Sequence, residues 1–82
     1  MKKQEVLFVR EGSTVVAYIP IRDEGVSISH KEGQATKAIK DYCAKLYQLG
    51  EKITRIDRKG YAGYSQNESG NKFYCFTFIL SR

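Results

Sequence analysis

Apolar and polar positions along the first twenty residues never fall into helical spacing. E-V-L-F-V-R (5–10) is β-branched and aromatic, E-G-S (11–13) is a turn signal, and T-V-V-A-Y-I-P-I (14–21) is a second run of strand formers. Two such runs joined by a short glycine-containing link predict a β-hairpin. Pro20 has no N–H to give to a ladder, so the second strand should end there or lie at an edge. R-D-E-G (22–25) breaks the pattern, and V-S-I-S (26–29) reads as a short extended piece.

The period then changes. Ala35, Ala38, Ile39, Tyr42, Cys43, Leu46 and Leu49 recur at three- and four-residue steps, while Lys37, Lys40, Asp41, Lys45 and Gln48 fill the other side. This is one amphipathic helix. Ser29 and Glu32 have the spacing of a capping box, Gly33 weakens the first turn and pushes the expected start a few residues on, and Gly50 suits the position just past the C-terminus.

K-I-T-R-I-D-R-K (52–59) is extended but alternates poorly: Ile53 and Ile56 fall on opposite faces unless a bulge intervenes. S-Q-N-E-S-G-N (65–71) is a polar loop. K-F-Y-C-F-T-F-I-L-S (72–81) is the strongest strand, and both of its faces are apolar: Phe73, Cys75, Thr77 and Ile79 on one, Tyr74, Phe76, Phe78 and Leu80 on the other. The predicted fold is therefore α+β, in the order ββαββ: a four-stranded antiparallel sheet with one helix packed on one face. One helix covers one face. Yet in the first strand Leu7 and Val9 back onto Val6 and Phe8, so that strand too is apolar on both sides. An antiparallel sheet with one wet face normally alternates cleanly. The second face is therefore expected to meet another molecule through Leu7, Val9, Phe73 and Ile79. A second copy of the chain, forming a homodimer, is the simplest cover; a different protein or unpaired bases are the others.

The 82 residues allow one domain, 1–82, with one core. Hydrophobic residues at 41% and charged residues at 28% are close to the globular average and not a disorder signature. Net charge is +5, and it is unevenly placed: residues 1–28 sum to zero, 29–60 to +4 and 61–82 to +1. A basic middle third attracts polyanions, or simply keeps a small domain soluble. Two cysteines are too few for a disulfide scaffold. The apolar run at the start ends at Arg10 and Glu11, too short for a secretory or membrane segment. A soluble, cytoplasmic protein with reduced thiols is expected.

One stretch concentrates candidate binding chemistry. R-K-G-Y-A-G-Y-S-Q (58–66) sets two cations before two tyrosines bracketed by glycines. K-G-Y-A (59–62) matches the first half of the RNA-recognition-motif octapeptide, basic-Gly-aromatic-Gly/Ala-aromatic. Gly63 then stands where the second aromatic belongs, and that fold needs two helices in the order βαββαβ, so the match is not carried further. Two readings of the stretch remain. Tyr61 and Tyr64 stack on bases while Arg55, Arg58 and Lys59, with Lys37, Lys40 and Lys45 of the helix, track phosphates. Otherwise the glycines bend a bulged strand and the tyrosines cover the sheet edge.

Elsewhere the chain offers little chemistry. His30 stands alone, without a neighbour pattern for a metal or a triad. Cys43 falls on the apolar helix face and Cys75 within the last strand, the pattern of core thiols that come near each other if the helix lies on that strand. Glu11, Asp23 and Glu24 are turn acids without a pocket. No metal, cofactor, small-molecule substrate or catalytic residue is expected, and the chain reads as non-enzymatic. The favoured function is a small protein-interaction module docking through an apolar sheet face or edge strand, in the size class of regulatory subunits and of virus-encoded inhibitors of host nucleoprotein machinery. A basic nucleic-acid-binding module is the alternative.

Overall fold

The structure is a computed structural model, and it describes residues 6–21 and 27–82. The predicted turn at 22–25, Glu5 and Val26 lie outside the described residues. Five elements follow in chain order: β1 (Leu7–Glu11), β2 (Thr14–Pro20), α1 (Ile28–Gln48), β3 (Arg55–Gln66) and β4 (Lys72–Ser81). The strands form one antiparallel sheet in the order β1-β2-β4-β3. The α+β fold read from the chain, ββαββ with one helix on the sheet, is the fold observed. β4 pairs antiparallel with both β2 and β3, so these two run parallel to each other on either side of it. Helix α1 carries the chain across β4 from one to the other, and β1 and β3 are left as the sheet edges.

Local chemistry explains each boundary. β1 and β2 are joined through Gly12 and Ser13, and the Glu11–Thr14 pair closes the hairpin. Gly12 has φ of 65° while Ser13 does not share a positive φ. That combination is the two-residue turn with glycine in its first central position, whose twist matches the strands. β2 ends at Pro20, which still pairs with Phe73, and the Ile21 N–H beyond it donates to the Lys72 carbonyl at 2.9 Å. The β3–β4 turn is held by Asn67, whose Oδ1 accepts from the backbone N–H groups of Ser69 and Asn71 at 3.0 and 2.9 Å.

The helix starts earlier than its sequence suggests. Ser27, not Ser29, is the N-cap: its Oγ accepts from the His30 N–H at 3.1 Å. Ile28 and Ser29 are therefore helical rather than extended. A serine two residues upstream satisfies a free amide equally well, and Gly33 is tolerated inside the helix because Ala35 and Ile39 anchor it. At the other end Leu49 is the C-cap and Gly50 follows with φ of 95°. The apolar stripe stops at Leu46. Leu49 is 82% exposed, because the chain has already left the helical path there.

The core lies between α1 and one sheet face. Val15, Ala17 and Ile19 of β2, Phe76, Phe78 and Leu80 of β4, and Ala35 and Ile39 of α1 are buried together. α1 lies across β2, β4 and β3. The β1 edge reaches the helix through side chains: the Phe8 ring stacks on Tyr42 with centroids 4.7 Å apart. Lys31 joins this layer unexpectedly. It is 3% exposed, with its stem over the end of β2 and its Nζ 3.4 Å from the Pro20 carbonyl oxygen.

A charge cluster closes the opposite end. The Arg10 guanidinium grips both Glu51 carboxylate oxygens, with Nη1–Oε1 at 2.7 Å, and Arg82 reaches the same carboxylate at 3.0 Å. The cluster ties β1, the link after α1 and the C-terminus together. Hydrogen bonding from Arg10, aided by Arg82, holds the Glu51 carboxyl down at about 2, from an ordinary 4.5. A depressed carboxyl stabilises the fold above its unfolded value, and that contribution is lost as pH falls through the folded one. Thermal midpoints should therefore drop between about pH 5 and pH 2. Glu51→Gln should lower the midpoint near neutrality and flatten the acid limb, so that the two curves converge near the bottom of that range. Parallel curves would remove Glu51 from the account.

Candidate functional site

The helix-free face of the sheet is built by alternation. Side chains directly opposite in a ladder share a face, so the pairings fix the membership. Leu7 and Val9 of β1, Val16 and Tyr18 of β2, and Phe73, Cys75, Thr77 and Ile79 of β4 all point away from α1. No helix or strand among the described residues covers them. Leu7 is 52% and Val9 54% exposed, whereas Val15 and Ala17, their counterparts on the other face, are fully buried. Tyr18 and Phe73 meet edge to face with centroids 6.3 Å apart. The four residues singled out in the sequence, Leu7, Val9, Phe73 and Ile79, all stand on this face. Val16 and Tyr18 belong with them and were missed. The run T-V-V-A-Y-I-P is apolar throughout, so its two faces separate only once its register with β1 and β4 is known.

β3 limits the face on one side. Its register shifts twice, between Arg58 and Gly60 and between Tyr61 and Gly63. Gly60 and Gly63 adopt φ of 88° and 105°, a conformation that side chains rarely accept. The poor alternation of 52–59 therefore has a different cause from the one its isoleucines suggest: Ile53 precedes the strand, and the bulges lie further on. These glycines bend the edge strand, which also protects it from pairing with another chain. The two bulges turn Tyr61 and Tyr64 to the helix side, opposite Phe76 and Tyr74. Tyr61 packs on Phe76 and Tyr74, with centroids 5.7 and 5.9 Å away, and is 42% exposed; Tyr64 is 62% exposed. Tyr61→Ala should cost about 1 kcal/mol from lost ring packing. Tyr64→Ala should stay within about 0.5 kcal/mol of the parent in chemical denaturation. Equal losses would place both rings in the core.

The cations predicted alongside them do not gather in one strip. Arg58 and Lys59 are exposed at the β3 edge with the two tyrosines. Arg55 pairs with Ser81 in the ladder, on the helix-free face, and its Nε binds the Asp57 carboxylate at 2.9 Å. Lys37 and Lys40 are exposed on α1. Lys45 borders a shallow groove with Val6, Phe8 and Tyr42, on the β1 side and hence at the far edge from Arg58.

The thiols are also apart. Cys43 lies on α1, and burial pushes its pKa up, which keeps it protonated. Cys75 is buried on the other side of the sheet, with its Sγ 3.7 Å from the Ser65 Oγ. The sheet separates them, so the approach suggested by the sequence does not occur. His30 is exposed in the first turn of α1. Among the described residues no three His, Cys, Asp or Glu side chains converge where a metal ion would fit, and no helix is long and apolar enough to cross a membrane.

No protein-family profile, no curated protein and no solved structure matches this chain.

Proposed function

We propose that this chain is a small non-enzymatic interaction module, a regulator or inhibitor in kind, that docks on protein through the helix-free face of its sheet. The observation that carries the reading is the pair Leu7 and Val9, each more than half exposed and paired in the sheet with Tyr18 and Val16 on the same uncovered face. Contiguous exposed apolar surface on a small protein marks an interaction site more often than chance. The driving force on such a face is water release from apolar area, at roughly 25 cal/mol per Å². Binding there should be insensitive to salt.

A second reading rests on the β3 edge, where the exposed Tyr61 and Tyr64 stand beside the exposed Arg58 and Lys59. Those groups suit unpaired bases and phosphates. One titration separates the two: a fluorescent random-sequence oligonucleotide is added at low and at high salt. The docking reading predicts no binding at either. Tight low-salt binding that falls steeply with salt and is lost in Tyr64→Ala would replace it with the nucleic-acid reading.

A further inference from the structure

The outer edge of β1 specifies the kind of partner. We infer that the docked protein supplies an extended segment that pairs with β1 as a fifth, antiparallel strand; the inference rests on the docking reading above. The hydrogen bonds of β2 fix which groups that edge presents. The Leu80 N–H donates to the Ser13 carbonyl at 2.8 Å and the Ile21 N–H to the Lys72 carbonyl at 2.9 Å, so the odd-numbered residues of β2 turn their backbone toward β4. The even-numbered Thr14, Val16 and Tyr18 therefore turn theirs toward Glu11, Val9 and Leu7. That leaves the backbone N–H and C=O groups of Phe8 and Arg10 directed outward from the sheet. Among the described residues none of these four groups has a hydrogen-bond partner.

A strand is the complement of such an edge, because its own N–H and C=O groups recur at the same two-residue spacing. The other edge, β3, is bent away from pairing by its two bulges. β1 has no such protection: its five pairs run without a register shift, and it holds no glycine, proline or lysine. The pairing also places the side chains of the added strand. The residue opposite Phe8 points to the helix side, into the groove lined by Val6, Phe8, Ala38 and Tyr42 with Asp41 and Lys45 at its rim. That groove holds about 230 Å³, less than the roughly 300–1,000 Å³ of small-molecule pockets, and suits one apolar side chain. The residues before and after it fall beside the exposed Leu7 and Val9 on the helix-free face, where apolar groups continue the surface. The segment is therefore an extended one with three consecutive apolar residues.

The β1 strand of a second copy does not supply that segment. It would set Val6, Phe8 or Arg10 opposite Phe8, because by alternation only those residues turn their backbone outward. Each is already engaged in its own chain. The Phe8 ring stacks on Tyr42, Val6 packs against the same core, and the Arg10 guanidinium is bound to Glu51. None is left to fill the groove of a neighbour.

Synthetic peptides test this on the full chain. The probes are capped peptides of the form Lys-Thr-X-X-X-Thr-Lys, with X drawn from Val, Ile, Leu, Phe and Tyr. A bound member should slow hydrogen exchange at the Phe8 and Arg10 amides, followed by NMR, whereas both exchange fast in the protein alone. N-methylation of its central residue removes the donor to the Phe8 carbonyl and should weaken binding by about 10-fold or more; N-methylation of either neighbour, whose N–H points away from β1, should change it by less than about 2-fold. Binding that ignores every N-methylation and leaves the Phe8 and Arg10 amides fast overturns strand pairing, and the docking reading stands. Protection of those amides by raised protein concentration alone puts a second copy on the edge and overturns the segment. If no member binds, strand pairing fails, and uptake of an apolar dye that Val9→Lys abolishes decides whether the docking reading survives.

Discussion

Phe78→Ala is expected to lower the thermal midpoint by about 20 °C, or to leave no cooperative transition at all. Phe78 is among the largest fully buried side chains and lies at the middle of β4, the strand that touches both β2 and β3. Removing a buried phenylalanine ring costs about 3–5 kcal/mol, the lost transfer energy plus the cavity left behind. A chain of this length has a total stability of about 4–12 kcal/mol. One substitution therefore removes about a quarter of the stability or more. For a domain of this size each kcal/mol moves the midpoint by about 4–8 °C. Circular dichroism during heating is the measurement. A shift of only a few degrees would mean that α1 collapses onto the gap, and that the layer between helix and sheet is looser than its burial implies.

Val9→Lys, one ladder position from Phe8, should do the opposite. In the single chain its effect on stability should lie within about 1 kcal/mol, because an exposed lysine on an edge strand is an ordinary residue. Its effect on association should be decisive, because the same ammonium in the docked state is buried without a partner. With a docking partner added, the parent's thermal midpoint should rise with partner concentration, as it does whenever association favours the native state, and the variant's should not. The two substitutions face opposite sides of one sheet. Their contrast separates the layer that folds the chain from the layer that engages a partner.

The fold was legible because its signals are local. The change of period at residue 35, the glycine-containing link at 11–13 and Pro20 at the end of β2 each act within a few residues. The two-sided apolarity of β1 and β4 was equally legible and pointed to the uncovered face. What escaped the sequence depends on register. Val16 and Tyr18 could not be assigned to a face until β2 was paired, and the separation of Cys43 from Cys75 needed the side of the sheet that α1 covers. The N-cap was placed at Ser29 because Glu32 completes a capping box, but Ser27 supplies the same oxygen one half-turn earlier. Lys31 gave no signal at all: a lysine stem that packs over a strand end looks in sequence like any exposed cation. The cations of 37–59 looked like one group because they are close along the chain. The sheet order sends Arg55 to one face, Arg58 to one edge and Lys45 to the other.

Whether apolar side chains opposite α1 meet protein or water is measured most directly by carbene footprinting of the native protein over a wide concentration range. Leu7 and Val9 should be labelled freely in dilute solution and become protected as the concentration rises or a protein partner is added, while the already buried Phe76 and Phe78 stay unlabelled throughout. Labelling of Leu7 and Val9 that is equally heavy at every concentration, and unchanged by any added protein, would contradict the account.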